Sequence, residues 1–179
     1  MNKFNGREKK GLYDPANEHD ACGLGFVVDM KGRKSHQTVV DALTILKNLI
    51  HRGACGCEEN TGDGVGILIQ KPHKFFLKVC KKLNIELPDQ EQYGAGLIFL
   101  PTNTEQAKYC KNIISKIVKE EGQTILGWRK LPTDGSMLGP SAAAGKPEFE
   151  QVFIGRSKLI KDASAFERKL YVIRKRAEN

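Results

Sequence analysis

Apolar positions along this chain fall into short runs and longer stripes, and the period changes between them. Residues 23–29 are short, apolar and β-branched, and they predict a buried strand closed by a turn at Lys31-Gly32-Arg33. Ser35 is placed to cap a helix in which Val39, Val40, Leu43, Leu46, Leu49 and Ile50 recur at spacings of three and four. That helix is expected to stop at Arg52-Gly53, ahead of a glycine-rich loop over 53–64. Val65 to Gln70 predicts a second strand, and Pro72 opens a helix with Phe75, Phe76, Val79, Cys80 and Leu83 on its core face. After a polar connection containing Pro88, Tyr93 to Leu100 predicts a third strand, ended by Pro101. A helix starting at Thr104 follows, with Ala107, Cys110, Ile113, Ile114 and Ile117 apolar and Gly122 closing it. Thr124 to Trp128 and Phe149 to Ile154 read as strands on either side of a Pro- and Gly-rich stretch over 132–147. Phe166, Leu170 and Ile173 support a terminal helix capped by Asp162 or Ser164. Alternating strands and helices predict a layered α/β or α+β domain. No internal repeat, low-complexity linker or clear domain boundary is visible.

Composition narrows the class. The chain has 179 residues, 40% hydrophobic and 28% charged, a globular profile with enough length for one core. No stretch approaches the roughly 18 to 20 apolar residues of a membrane helix. The first 21 residues balance Lys3, Arg7, Lys9 and Lys10 against Glu8, Asp14, Glu18 and Asp20 and lack the apolar segment of a secretory signal. The net charge of +8 raises nucleic acid as a partner. The basic residues are dispersed, however, with no aromatic-interleaved motif, so solvated helix faces or a surface docking on further protein explain them better. Five cysteines and no secretion signal place the chain in a reducing compartment, the cytoplasm, with free thiols.

One cysteine stands in a chemically distinctive setting. Cys22 lies in Ala21-Cys22-Gly23-Leu24-Gly25-Phe26-Val27-Val28, at the junction of the polar leader and the first apolar run. Removal of residues 1–21 would leave a thiol and a free α-amine on one residue. With pKa values of about 8.5 and 7.7 to 8.0 in free peptides, the amine takes the thiol proton at little cost near neutral pH. Gly23 leaves the backbone beside the thiol open to a substrate. The competing reading of Cys22 is an ordinary buried strand cysteine. Arg52 offers a fork able to hold a carboxylate or carbonyl group; its competing reading is a surface ion pair. The loop Glu59-Asn60-Thr61-Gly62-Asp63-Gly64-Val65-Gly66 lacks the Lys-Ser ending of a phosphate-binding loop and precedes a predicted strand, which argues against nucleotide binding. His51, Cys55 and Cys57 form one metal-like cluster, but zinc normally needs a second pair, and Cys80 and Cys110 fall within helical stripes. No metal is expected.

The segments Tyr13-Asp14-Pro15, Glu18-His19-Asp20-Ala21-Cys22-Gly23, His51-Arg52-Gly53-Ala54 and Thr61-Gly62-Asp63-Gly64-Val65-Gly66-Ile67-Leu68 resemble the start of the glutamate synthase large subunit. So do Tyr93 to Pro101, Gly127-Trp128-Arg129, Gln151-Val152-Phe153-Ile154 and Phe166 to Arg176, in order and over almost the whole chain. The resemblance implies a class II glutamine amidotransferase domain of the N-terminal-nucleophile type. Its fold is an α+β four-layer αββα sandwich, here expected to be incomplete on its C-terminal side. Residues 1–21 would be a propeptide and 22–179 the N-terminal portion of the domain. Cys22 would be the catalytic nucleophile, with its α-amine as base, and Arg52 would shape the active site. The implied reaction hydrolyses glutamine to glutamate and ammonia, the ammonia passing to 2-oxoglutarate.

The implied partners are the remaining glutamate synthase domains and a small subunit or ferredoxin. FMN and an iron–sulfur cluster are expected in the full-length enzyme, with no cofactor in this chain. The family's oxyanion hole uses an Asn-Gly pair, and Asn5-Gly6 in the leader is the sole such pair here. Loss of one oxyanion donor costs about 10²- to 10³-fold in rate, so residues 1–179 alone are expected to be inactive. The other readings are a non-catalytic remnant acting as an interaction module and a zinc domain built on Cys55 and Cys57.

Overall fold

The last strand in the sequence is the centre of the sheet. The computed structural model describes residues 23–49, 58, 61–62 and 64–178. In chain order its elements are α1 (His36–Asn48), α2 (His73–Lys81), β1 (Tyr93–Leu100), α3 (Thr104–Glu120), β2 (Thr124–Lys130), α4 (Pro140–Gly145), β3 (Glu148–Gly155) and α5 (Ala163–Glu178), with a short 3-10 turn at Gln90–Gln92. β3 pairs antiparallel with both β1 and β2, giving the order β1-β3-β2. β1 and β2 therefore run parallel with β3 between them, a split β-α-β arrangement in which α3 makes the crossover. The chain divides into two compact units, residues 1–69 and 70–179, and the second holds the whole sheet. No linker composition marks that division in the sequence.

Alternation along the strands assigns each side chain to a layer. Val152 and Ile154 of β3 face α3 and α5 and pack with Ile117, Val118 and Ile173. Phe153 points the other way, where α2 covers it with Phe76 and Cys80, beside Tyr93 of β1. The Phe76 and Phe153 rings meet edge to face with centroids 5.3 Å apart. A bulge between Ile125 and Gly127 leaves Leu126 without a partner on β3 and lets it pack on the α2 side. The architecture of this unit is α+β, with a small antiparallel sheet between α3/α5 on one face and α2 on the other.

Local signals explain most of the boundaries. Ser35 Oγ accepts from the Gln37 N–H at 3.1 Å and starts α1. Asn103 Oδ1 accepts from Gln106 N–H at 3.0 Å and starts α3. Asp162, of the two expected caps, takes the role at α5, accepting from Ala165 N–H at 2.7 Å. Gly122 ends α3 with φ +72°, a conformation that favours glycine.

Two expected strands do not form. Residues 23–29 and 65–70 carry no ladder, and Leu24 (91%), Phe26 (85%) and Leu68 (101%) are exposed. A short apolar run signals a capacity for burial, but a strand also needs a neighbour's N–H and C=O groups. On α2, Phe76 and Cys80 are buried as expected, whereas Phe75 and, two residues past the helix end, Leu83 are each 49% exposed. The stretch 132–147, expected as a loop, contains α4, opened by Pro140 at its first turn.

The α3–α5 contact is tied by charge. Glu121 caps α3 at its C-terminal end, where the helix dipole disfavours a carboxylate. Lys169 Nζ at 2.8 Å and Arg176 Nη1 at 2.7 Å, two turns apart on α5, offset that cost. Arg176 also bonds Glu120. These partners, Lys169 foremost, hold the Glu121 carboxyl below its ordinary value of 4.5. A depressed carboxylate pKa stabilises the fold above the unfolded value and ceases to do so as pH falls through the folded one. Glu121→Gln is thus expected to lower the melting midpoint at pH 7. The deficit should shrink steadily below about pH 4.5. Thermal unfolding of both proteins from pH 7 to pH 3 checks this; a deficit independent of pH would refute the assignment.

Candidate active site

Among the described residues of the first unit, α1 is the one helix. Asp29 closes the turn that leads into it: its Oδ1 accepts from the N–H groups of Lys31 (2.8 Å) and Arg33 (3.3 Å). Its Oδ2 accepts from Arg33 Nε (3.0 Å) and Nη2 (2.8 Å). These bonds to Arg33 hold the Asp29 carboxyl below its usual range. The turn reverses the chain, so residues 23–28 run back along α1 from its C-terminal end towards its start.

Two glycines make that approach. A Cβ added to Gly23 would stand 3.0 Å from Leu49 Cδ2, 3.2 Å from Cδ1 and 3.3 Å from Cβ. A Cβ on Gly25 would collide with Ile45 Cγ2. Ile45 and Leu49 are one helical turn apart, about 6 Å along the axis. Two residues of near-extended chain span about the same distance, so successive glycines meet successive turns. The larger side chains, Leu24, Phe26 and Val28, point away and are exposed. By contrast, added Cβ atoms at Gly64 and Gly66 would meet nothing within 4 Å. Sequence reading marks Gly23 as an opening for substrate; its contact with Leu49, and the Gly25–Ile45 pair, are additions. The signal for them is present as glycine at every second position opposite apolar residues four apart.

The predicted site residues Cys22 and Arg52 both lie outside the described residues, as do His51, Cys55 and Cys57. The described residues nearest in sequence to Cys22 and Arg52, Gly23 and Leu49, are a pair in contact. Of the glycine-rich loop, Thr61 donates from its backbone to the Glu58 carbonyl (3.1 Å) and from Oγ1 to Glu58 Oε2 (2.8 Å). Among the described residues no three His, Cys, Asp or Glu side chains gather as a metal set. Cys80 is fully buried, and burial pushes its thiol pKa up, with the Arg129 charge opposing. It is a packing residue. No helix among the described residues is long and apolar enough to cross a membrane.

Residues 22–179 match the sequence profile of the glutamine amidotransferases class-II. The chain belongs to this family. Among the class II relatives, the large chain of NADPH glutamate synthase from Bacillus subtilis is 46% identical over 170 residues, 95% of this chain and 11% of that protein. Ferredoxin-dependent glutamate synthase from Pyropia yezoensis is 40% identical over 161 residues, 90% of this chain and 10% of that protein. NADH glutamate synthase from Schizosaccharomyces pombe is 34% identical over 177 residues, covering 95% and 8%. The chain thus spans about a tenth of the length of these class II relatives.

Proposed function

We propose that this chain is the N-terminal portion of the glutaminase domain of a glutamate synthase, with Cys22 as its nucleophile. The observation that carries the reading is that the class II match opens at Cys22, the thiol next to the glycines that pack on α1. Residues 1–21 are the propeptide, and their removal frees the Cys22 α-amine. That amine takes the thiol proton as sulfur attacks the side-chain amide carbon of glutamine. The tetrahedral intermediate collapses when the same amine returns the proton to the departing nitrogen, releasing ammonia. Water then adds to the glutamyl thioester, the sulfur leaves with the proton, and glutamate is released. Arg52 lies three residues beyond Leu49, and three peptide units span at most about 11 Å. That length allows its guanidinium to line the same site as a thiol next to Gly23.

The mature domain is expected to take the four-layer αββα architecture, with further chain completing it. Ammonia passes to 2-oxoglutarate in the complete, cytoplasmic enzyme, and its partners are the remaining synthase domains with a small subunit or ferredoxin. FMN and the iron–sulfur cluster belong to those other domains.

The test combines intact mass with turnover. The native protein should begin at Cys22 and hydrolyse glutamine, whereas residues 1–179 alone should not. A native protein that retains Met1 and still hydrolyses glutamine would overturn the N-terminal-amine mechanism. Glutamine turnover by the 179-residue chain that Cys22→Ala removes would overturn its inactivity.

A further inference from the structure

We infer that Ile45, with Leu49 one turn further on, is a positioning residue for the Cys22 thiol, acting through the backbone of Gly25 and Gly23. The inference rests on the reading of Cys22 as nucleophile and adds what holds it in place. Residues 24, 26 and 28 turn their side chains to the exterior and so do not anchor the run to the helix. Val27, at the alternate position shared with the glycines, is only 38% exposed, and the run is held further by the Asp29 turn at one end and the two glycine contacts at the other. Gly64 and Gly66, in the same unit, have open surroundings, whereas the glycines after Cys22 approach α1 closely. The Ile45 methyl Cγ2 fills the place a side chain at 25 would need. With Ile45 in place, the chain can therefore lie at this depth and register only with glycine at 25.

One peptide bond separates Gly23 from Cys22, so a displacement of the run passes directly to the sulfur. A shift of about 1 Å in a reacting group can cost on the order of 100-fold in rate. Substrate binding depends on other groups and changes little. The signature of positioning is thus a fall in kcat with KM held, reversed when the displaced space is restored.

Gly25→Ala in the native protein is expected to lower kcat for glutamine at least about tenfold, with KM within about threefold. The rate at which iodoacetamide alkylates Cys22, followed by peptide mass spectrometry, should change along with it. Gly25→Ala/Ile45→Ala, in which the lost branch makes room for the new methyl, should recover kcat to within about threefold of wild type. Ile45→Ala alone only loosens the contact at a half-buried site and should lower kcat several-fold at unchanged KM.

Wild-type kcat and alkylation in Gly25→Ala, or a double variant no better than the single, would overturn the inference. If Gly25→Ala does not fold, Ile45→Ala decides: wild-type kcat in that variant overturns it equally. Should the wild-type protein hydrolyse no glutamine, the glutaminase reading fails, and the Cys22 alkylation rates of the same variants still decide the packing claim.

Discussion

Cys22→Ala in the native protein should reduce glutamine hydrolysis by a factor on the order of 10⁴ or more. Alanine keeps the α-amine and removes only the sulfur, so the acyl-enzyme route is lost while binding groups remain. KM, where residual turnover allows it to be measured, should stay near the wild-type value. Cys22→Ser tests the same chemistry from another side. A hydroxyl is a far weaker acid than a thiol, so the amine must take its proton as the C–O bond forms in a site shaped for sulfur, and turnover should fall by orders of magnitude. Mixing [¹⁴C]glutamine with wild-type enzyme and quenching in acid should trap label on the peptide that starts at Cys22; neither variant should carry it. Retention of more than a few per cent of turnover in Cys22→Ala would exclude Cys22 as the nucleophile.

The largest stability effect is expected at Phe153. It is fully buried between Phe76 and Tyr93, with ring centroids at 5.3 and 6.2 Å. Truncation to alanine removes the side chain that joins α2 to the centre of the sheet. The cost for a buried phenylalanine is about 3–5 kcal/mol, a large part of the roughly 5–15 kcal/mol that holds a domain folded. Phe99 provides the control. It lies on the same sheet but is 62% exposed and touches Phe149 with centroids 5.0 Å apart. Phe99→Ala should cost no more than about 1 kcal/mol. Urea unfolding of the two variants, followed by tryptophan fluorescence from Trp128, gives both numbers. Equal losses would mean that Phe153 is not the keystone of the α2 layer.

Much of the second unit was readable because its signals are local. The limits of β1 agree at both ends with the apolar run from Tyr93 and the stop at Pro101. α1 and α5 start where Ser35 and Asp162 offer a side-chain oxygen. α4 was hidden because Pro140 and the neighbouring glycines count as loop residues by composition, although proline suits a first helical turn. Residues 23–29 and 65–70 failed as strands because pairing is non-local: no periodicity within a run says whether a neighbour exists. The division at residues 69 and 70 was missed for a similar reason, since contacts and not composition define it. The site divides the same way. Cys22 and Arg52 are proposed from adjacent residues and a short motif, and both lie outside the described residues. The meeting of Gly23 with Leu49 depends on a turn and a helix between them, each adding its own length.

The central place of β3 also bears on how the polypeptide emerges from the ribosome. β1 is complete at Leu100 and β2 at Lys130, yet among the described residues the strand that pairs with both is Glu148–Gly155, which arrives later. At roughly 5–20 residues per second, β1 waits several seconds in the nascent state. Its uncharged sequence, with Leu97 and Phe99, is a natural substrate for chaperones during that interval. The sheet can therefore close only once the segment that pairs with both outer strands has been made.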